Sequence, residues 1–384
     1  MLHLPPIYPI TDGSLETPLA QQVQRLGEAG FPLVQFRGKP QNPRTQWEEL
    51  RKALRASAEN GGWPLICVND RADLAFLAAR EGLAPWALHL GQDDLPACEA
   101  RKLPGLEALH FGASTRNDRE WNHVDPACDH AGVGPYRATG SKTDHAAPIG
   151  LAGLREGCKA LRAQCVTPVA IGGLTLEDAK TCFEAGAESL SMIGEVVRAE
   201  DPRELLWSAQ LARWAVHPPV RAGQGIALVG GSGCGKSTLA RELGHALGLP
   251  VRDLDELIVA RAGKPIANIF AEDGEPVYRA LEAELTRAAF QEPAVLALGG
   301  GAWENESTRR AAWSSGFAVL WIAENPRRIW DRVAHDPIRP LAQDHDVYMA
   351  RWRARTPRWM EAPMLLPLGR NAADIAGALV LAAN

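Results

Sequence analysis

The chain has 384 residues, of which 46% are hydrophobic and 23% charged, and its formal net charge at pH 7 is −5. This length predicts two domains, and the composition excludes intrinsic disorder and a fibrous repeat. The negative net charge argues against a protein devoted to nucleic acid, because binding to phosphate backbones usually needs clustered Lys and Arg.

The cysteines and the N-terminus predict a cytoplasmic protein. Seven cysteines are scattered without a C-x-x-C pair or a metal-ligand spacing, so we interpret them as reduced thiols. The first residues lack a basic segment followed by an apolar one. Apolar runs such as residues 317–323 are too short to span a bilayer.

The first half of the chain alternates short apolar runs with helix-like stretches, which is typical of repeated βα units. The runs are residues 7–11, 33–37, 64–68, 86–90, 109–113, 130–133, 168–171 and 189–193. Eight such units in this length predict a TIM (β/α)8 barrel, in which catalytic groups follow the strands. Nearly every run is indeed followed by polar residues or glycine.

Residues 214–225 contain two prolines and no periodicity, and they come after the last helix-like segment of the barrel. We therefore predict a barrel domain over residues 1–215, a linker over 216–224 and a second domain over 225–384. The run 226–229 predicts the first strand of this second domain, a P-loop α/β domain with a parallel sheet.

A phosphate-binding loop follows that strand directly. Residues 230–237 read Gly-Gly-Ser-Gly-Cys-Gly-Lys-Ser and fit G-x-x-x-x-G-K-[ST], with a helix-like stretch after them. Its glycines allow backbone N–H groups to converge on phosphate oxygens, Lys236 neutralises charge between the β and γ phosphates, and Ser237 can hold Mg²⁺. The predicted ATP-binding residues in the loop are Gly231, Ser232, Gly233, Cys234, Gly235, Lys236, Ser237 and Thr238.

Further motifs follow the P-loop in a fixed order. They are Asp253-Leu-Asp255, residues 263–270, residues 275–282 with Arg279, Gly299-Gly300-Gly301, Arg332, Arg339-Pro340-Leu341 and residues 355–359. In this order the set resembles shikimate kinase, and the resemblance covers the chain from Ile226 to its C-terminus. Trp359 departs from the family, which more often has tyrosine there.

The resemblance implies a role for each of these residues. Asp253 would support Mg²⁺ through water, while Asp255 would bind the acceptor hydroxyls and orient the attacking oxygen. Arg279 and Arg355 would clamp the acceptor carboxylate, since a planar guanidinium binds a carboxylate bidentately.

Three further roles follow from the same resemblance. Gly300 and Gly301 would present backbone N–H groups to the acceptor, because glycine permits a close approach. Arg339 would lie on a closing loop and reach the transferring phosphoryl group, and Arg332 would stack on adenine.

The residues at the barrel's strand ends resemble thiamine phosphate synthase from about Ile7 to Pro202. The pieces that carry this resemblance are Gln35-x-Arg37-x-Lys39, Asn69-Asp70-Arg71, residues 89–94, Gly112-x-Ser114-Thr115, residues 134–142 and residues 168–173. That family joins a thiazole phosphate to a pyrimidine carried as its diphosphate and releases pyrophosphate.

This second resemblance implies a site with separate metal, cation and phosphate parts. Asp70 and Asp94 would hold Mg²⁺ against the diphosphate, and cations would neutralise its oxygens. Gly173 and Gly194 would bind phosphate through backbone N–H groups. The implied site residues are Gln35, Arg37, Lys39, Asn69, Ser114, Thr139, Ser141, Lys142, Gly173 and Gly194.

Two departures leave alternatives open for the barrel. Arg116 stands where the family usually has histidine, and the loop 136–142 lacks an aromatic-proline pair. The barrel is then an active synthase, a related enzyme such as a thiazole tautomerase, or a scaffold or regulator.

The sequence as a whole predicts a bifunctional enzyme whose partners are the small molecules ATP, shikimate, thiazole phosphate and pyrimidine diphosphate. A competing hypothesis is an active kinase whose barrel senses a ligand without turnover. Lys236, Asp255 and Arg339 argue against a dead kinase.

Overall fold

A computed structural model gives the structure of residues 1–138, 147–334 and 344–383. The chain divides into two compact units, Met1–Val216 and His217–Asn384. Each unit has its own parallel sheet.

The N-terminal unit is an eight-stranded parallel barrel. Its strands are β1 (Ile7–Pro9), β2 (Leu33–Phe36), β3 (Leu65–Asn69), β4 (Ala87–Leu90), β5 (His110–Thr115), β6 (His130–Val133), β7 (Thr167–Ile171) and β8 (Ser189–Met192). They pair in the order β1-β8-β7-β6-β5-β4-β3-β2. A parallel bridge between Ile10 and Gln35 brings the two ends of this sheet together, so the predicted (β/α)8 barrel is confirmed.

Helices follow the strands of the barrel. They are α1 (Leu19–Ala29), α2 (Pro43–Glu59), α3 (Ala72–Arg80), α4 (Ala97–Ala100), α5 (Asp118–Asn122), α6 (Gly150–Ala163), a 3₁₀ turn (Leu176–Asp178), α7 (Ala179–Glu184), α8 (Gly194–Val197) and α9 (Pro202–Val216). Local chemistry sets where they begin. Asn42 caps α2 by accepting the N–H of Thr45 at 3.0 Å, and Pro43 occupies the first turn.

Polar side chains occur inside the barrel as well as aliphatic ones. Tyr8, Gln35, His89 and His130 are all buried. Burial lowers the pKa of His130 to about 3, so this ring is neutral at physiological pH. The His89 and His130 rings lie 5.7 Å apart on either side of Gly112, where an added Cβ would lie 2.3 Å from His130 Nε2.

The C-terminal unit is a second α/β structure around a five-stranded parallel sheet. Its strands are β9 (Ile226–Val229), β10 (Val251–Asp253), β11 (Val295–Ala297), β12 (Ala318–Ile322) and β13 (Met364–Leu365), in the order β10-β11-β9-β12-β13. The predicted parallel sheet is confirmed. β9 and β12 are buried along their whole length, as expected for strands covered on both faces.

The helices of this unit are α10 (Lys236–Leu247), α11 (Leu254–Ala262), α12 (Ile266–Asn268), α13 (Glu275–Ala289), α14 (Glu306–Ser314), α15 (Pro326–Val333), α16 (His345–Trp359) and α17 (Ala372–Ala383). A π-helical turn (Ile269–Asp273) follows α12, and a 3₁₀ turn (Ala302–Glu304) precedes α14. After the central strand β9, the chain forms β10 and β11 on one side of it and then β12 and β13 on the other side. Ligands of such sheets bind at the carboxyl ends of the strands next to this switch.

All seven cysteines are free thiols in this structure. Among the described residues, none of the helices combines the length and the apolar character needed to cross a membrane.

We expect residues 1–216 and 217–384, produced as separate proteins, each to fold cooperatively, because each unit has its own complete sheet and buried core. Circular dichroism during heating should show one cooperative transition for each fragment. Fragments that unfold without cooperativity unless they are mixed would contradict this prediction.

Candidate active sites

A cavity of about 1130 Å³ lies at the carboxyl ends of the barrel strands. Six of the predicted barrel-site residues line it together with both predicted metal ligands, and the eight are Arg37, Lys39, Asn69, Asp70, Asp94, Ser114, Gly173 and Gly194. The strand ends gather these side chains because every strand of a parallel barrel points the same way.

One wall of this cavity holds a lysine that is paired with one of two neighbouring carboxylates. Lys39 Nζ lies 2.6 Å from Asp70 Oδ2, and Asp94 Oδ2 accepts the backbone N–H of Gly91 at 2.7 Å. Burial and the negative charge of Asp70 raise the pKa of Asp94 above its usual value. Two carboxylates that repel each other in this way are stabilised by a cation bound between them.

The Asp70–Asp94 pair fits a magnesium site. No group of three or more His, Cys, Asp or Glu side chains positioned for a metal occurs in the described part of the chain. Mg²⁺ commonly takes one or two carboxylates and completes its shell with water and phosphate oxygens. The donor set is therefore that of a metal held jointly by protein and phosphate.

The backbone at Asp70 is held in an unusual conformation. Asp70 has a φ of 62°, and its N–H donates to His89 O at 2.7 Å. Left-handed backbone is uncommon outside glycine and is found where a side chain must be aimed. This turn directs the Asp70 carboxylate toward Lys39.

The opposite wall is built from glycines. Gly172 and Gly173 have φ values of 100° and 64°. A Cβ on Gly172 would lie 2.6 Å from Pro135 Cα, because Tyr136 and Arg137 donate their N–H groups to the carbonyls of Ile171 and Gly172. The close backbone approach requires glycine and leaves peptide groups facing the cavity.

One predicted barrel residue lies away from the cavity lining. Gln35 is 2% exposed and points into the barrel, where its amide nitrogen lies 3.4 Å from the hydroxyl of Tyr8. Thr139, Ser141 and Lys142 lie outside the described residues.

Two arginines lie at or near this site without having been assigned to it from the sequence. Arg137 makes two bonds, at 2.5 and 2.6 Å, to Asp178. Burial alone would raise the pKa of Asp178, but these bonds and the Thr175 N–H lower it. Arg198 lines the cavity beside Gly194. No local motif joins these arginines to their partners, so only the fold reveals them.

In the C-terminal unit the P-loop lies between β9 and α10, as its motif predicts. Gly230, Gly233 and Gly235 have φ values of 141°, 87° and 97°. Lys236 Nζ donates to the carbonyls of Gly230 at 2.9 Å and Gly231 at 2.8 Å. The lysine is thus folded over its own loop, with its charge held by weak carbonyl acceptors.

Two helices pack directly against the P-loop. A Cβ on Gly231 would lie 2.2 Å from Trp352 Cζ2, and Tyr348 Oη donates to Ser232 O at 3.0 Å. On α15, Val333 and Ile329 fill the space in front of Gly233. These contacts fix the loop and require its glycines.

The acceptor side of this unit gathers around the three consecutive glycines. A Cβ on Gly299 would lie 3.3 Å from Asp255 Oδ1. A Cβ on Gly301 would lie 2.7 Å from Arg279 Nη1 and 3.1 Å from Arg355 Nη2. One carboxylate and two guanidinium groups therefore meet over a surface without side chains.

Asp253 has a structural contact of its own in this site. Its Oδ1 accepts the N–H of Asp255 at 3.0 Å and caps α11. The cap orients the first turn of the helix and so places Asp255.

Acidic residues that the sequence did not single out hold the two guanidinium groups. Glu282 is 4% exposed and accepts from Arg279 Nη1 at 2.8 Å, and Glu304 accepts from Arg355 Nε at 2.9 Å. Burial and the charge of Glu282 raise the pKa of Tyr278 far above its usual value. The i,i+3 spacing of Arg279 and Glu282 on α13 was a signal that could have identified this pair.

The remaining kinase-site residues are placed as follows. Arg332 is exposed on α15, and Arg339 lies outside the described residues. Trp359, the departure from the family pattern, is 1% exposed and packs edge-on against Trp352 at 4.9 Å. Ser237 and Thr238 lie in the first turn of α10.

Both halves of the chain match known families. The family model described as thiamine monophosphate synthase matches residues 7–196, and the one described as shikimate kinase matches residues 232–365. A thiamine-phosphate synthase of Chloroflexus aurantiacus is 38% identical over 199 residues, which cover 51% of this chain and 86% of that protein.

Two further comparisons cover one half each. A thiamine-phosphate synthase of Moorella thermoacetica is 40% identical over 186 residues, covering 48% of this chain and 83% of that protein. A solved shikimate kinase from Acinetobacter baumannii in complex with shikimate is 28% identical, with a TM-score of 0.39, and covers 41% of this chain and 90% of that one.

We expect Asp94→Asn to remove a divalent-cation site without destabilising the metal-free protein. The amide can still accept the Gly91 N–H, and the repulsion by Asp70 disappears. Because the folded-state pKa of Asp94 is raised, its ionised form costs stability at neutral pH, and that cost is lost as the pH falls through this pKa.

Titration with Mn²⁺ followed by electron paramagnetic resonance measures the site, and thermal unfolding in metal-free buffer measures stability. Asp93→Asn, which removes the neighbouring charge, is the matched control. Unchanged Mn²⁺ binding in Asp94→Asn, or a clearly lower melting temperature, would contradict the assignment.

Proposed function

We propose that this chain is a bifunctional enzyme acting on four small-molecule substrates. It belongs to the thiamine-phosphate synthase family through its N-terminal unit. Its C-terminal unit carries a shikimate kinase domain. The barrel couples thiazole phosphate with hydroxymethylpyrimidine diphosphate to give thiamine phosphate and pyrophosphate. The second unit transfers the γ-phosphoryl group of ATP to shikimate and releases shikimate 3-phosphate and ADP.

The kinase proposal rests on the convergence of Asp255, Arg279 and Arg355 over Gly299–Gly301, beside the P-loop. A Cβ on Gly300 would lie 3.4 Å from the P-loop N–H of Ser232, so acceptor and phosphate-binding surfaces are adjacent. The two arginines bind a carboxylate, and Asp255 binds a hydroxyl. A polyhydroxy acid has both groups.

The residues then act as follows. The P-loop N–H groups bind the phosphates, and Lys236 exchanges its two carbonyl acceptors for phosphate oxygens. Asp255 orients the acceptor hydroxyl and accepts its proton as the oxygen attacks the γ-phosphorus and ADP leaves. Ser237 and Asp253 would hold Mg²⁺, which supplies charge neutralisation. Arg339, by its sequence motif, would stabilise the transferring phosphoryl group.

The synthase proposal rests on the charged wall formed by Arg37, Lys39, Asp70 and Asp94. The pyrimidine methylene carbon loses pyrophosphate and gains a bond to the thiazole nitrogen. Arg37 and Lys39 neutralise the departing pyrophosphate, and Asp70 and Asp94 would hold Mg²⁺, which adds positive charge to that side. Asn69 and Ser114 supply further polar contacts, and we assign Lys142 to the same group of cations.

A barrel that only senses a ligand is not favoured. The relatives that match it at 38% and 40% identity, over more than four fifths of their own length, are thiamine-phosphate synthases. The cavity keeps both a cation pair and a carboxylate pair, which are suited to a leaving polyanion rather than to simple recognition. A thiazole tautomerase would not need this combination.

The barrel activity is tested by incubating the chain with thiazole phosphate and pyrimidine diphosphate. We expect thiamine phosphate and pyrophosphate to form only when Mg²⁺ is present, because Arg37 and Lys39 alone do not offset the charge of pyrophosphate. The products are measured by chromatography, with EDTA as the control. Absence of product with Mg²⁺ would refute the synthase assignment.

For the kinase, coupled ADP release is measured over a panel of polyhydroxy acids with ATP and Mg²⁺. We expect shikimate to stimulate ADP release and Asp255→Asn to lower it by about 10²-fold or more, as for loss of a general base. Binding of ATP, measured by calorimetry, should survive because the P-loop is unaltered. An equal loss of ATP affinity would show that Asp255 acts on the nucleotide instead.

Gly301→Ala tests the carboxylate clamp. The new Cβ would meet Arg279 Nη1 and Arg355 Nη2, so the guanidinium groups must move. We expect the KM for shikimate to rise roughly tenfold or more, the consequence of weakening one charge-assisted hydrogen bond, while the KM for ATP changes little. Gly377→Ala is the matched control, since nothing lies within 4 Å of its Cβ position. Equal kinetics in the two variants would contradict the clamp.

A further inference from the structure

Positive charge is distributed unevenly around the barrel cavity. Among the described residues that line it, the cationic side chains are Arg37, Lys39, Arg116 and Arg198. Arg37 and Lys39 come after β2 and Arg116 after β5, whereas Arg198 comes after β8 and α8. Within this described lining, Arg198 is therefore the cation on the side of the strand-end glycines.

The guanidinium group of Arg198 lies over Gly194. A Cβ on Gly194 would be 3.5 Å from Arg198 Nη1. The Arg198 side chain is 62% exposed, so its N–H groups remain accessible from the cavity. Because Gly194, Gly173 and Gly172 carry no side chains, nothing on these residues separates the guanidinium from a ligand bound against their backbone.

A chain of polar contacts holds Arg198 in this position. Arg198 Nη2 lies 3.4 Å from Asp12 Oδ2, while Asp12 Oδ1 accepts from both the N–H and the hydroxyl of Ser14. Gln22, which is 2% exposed, bonds the N–H of Asp12 at 2.9 Å and its carbonyl at 3.0 Å. The carboxylate that anchors Arg198 is thus itself fixed.

The backbone on both sides of Arg198 is fixed as well. Arg25 donates to Val197 O at 2.7 Å and to Ala199 O. The main chain that carries Arg198 is therefore tied to α1. A side chain that is placed in advance loses less conformational entropy when it binds a ligand.

The carboxylates nearby have hydrogen-bond partners of their own. Glu195 Oε1 accepts the N–H of Leu176 at 3.0 Å, and both oxygens of Asp12 have partners. Arg198 contacts Asp12 through Nη2 at a distance that is long for an ion pair. Its Nη1 is the group turned toward Gly194.

We infer that Arg198 is a specificity-determining residue, which binds the phosphate ester of the thiazole substrate together with the backbone of Gly173 and Gly194. A guanidinium group matches a phosphate bidentately, and a phosphomonoester dianion needs positive charge that backbone N–H groups only partly supply. This inference rests on the proposed synthase function, and it assigns the two anionic substrates to different sides of the cavity. The monophosphate binds at Arg198, and the diphosphate binds at the Arg37–Lys39 wall.

The test compares wild type, Arg198→Gln and Arg198→Lys as full chains. We expect Arg198→Gln to raise the KM for thiazole phosphate about tenfold or more, with kcat and the KM for pyrimidine diphosphate changed less than about twofold. Arg198→Lys keeps the charge and should recover part of the loss. Arg44→Gln is the control, because Arg44 is 89% exposed on α2 and outside the cavity.

Equilibrium binding distinguishes this inference from the function on which it depends. Calorimetry with thiazole phosphate should show the same tenfold loss in Arg198→Gln, while the dephosphorylated thiazole alcohol should bind both proteins equally. Equal affinity of wild type and Arg198→Gln for thiazole phosphate, or a parallel rise in both KM values, would overturn the inference. A wild type that makes no thiamine phosphate would refute the synthase function, and the binding comparison would still decide the role of Arg198.

Discussion

Parallel pairing of the strands is the constraint on which both sites depend. When all strands of a sheet run the same way, the residues that follow them emerge at one edge, whatever their distance in the sequence. In the barrel, the bridge between Ile10 and Gln35 completes this arrangement by bringing the first two strands together. Lys39 can then meet Asp70, although 31 residues separate them. In the second sheet the same constraint puts the P-loop next to the glycines that follow β11.

Both sites depend on glycines as much as on polar side chains. At Gly172, Gly231 and Gly301 an added Cβ would lie less than 3 Å from an existing atom. Each contact has a different purpose: a backbone crossing at Gly172, an indole against the P-loop at Gly231, and two guanidinium groups at Gly301. Glycine is required at these positions because a neighbouring group or a ligand lies directly against the backbone, and a side chain would prevent this close approach.

The sequence predicted the strand ends well, because apolar runs and the polar residues after them are local patterns. It assigned Asp255, Arg279 and Arg355 to the acceptor site only through a resemblance, and it did not predict the side chains that contact the arginines. Glu304 meets Arg355 from 51 residues away, and Asp12 meets Arg198 from 186 residues away. No periodicity encodes such pairs.

The same limit explains Gln35, which belongs to a recognisable motif but points into the barrel toward Tyr8. A motif fixes the residue type at a strand end, whereas the face to which the side chain turns depends on the strand pairing.

The cations of these sites have contacts that a phosphate can replace at little cost. Lys39 is paired with Asp70 at a side-chain exposure of 60%, and Arg198 is paired with Asp12 at 62%. Ion pairs this exposed contribute about 0–1 kcal/mol. Hydrogen bonds to charged groups contribute more, about 1.5–3 kcal/mol each. On the proposed function, a phosphate dianion would therefore displace the carboxylate from these cations, provided that the carboxylate is stabilised in turn. At Asp70 a bound Mg²⁺ would provide this stabilisation, and at Asp12 the two bonds from Ser14 already do. On the proposed function, these pairs position the cations, and a phosphate group of the substrate would replace them.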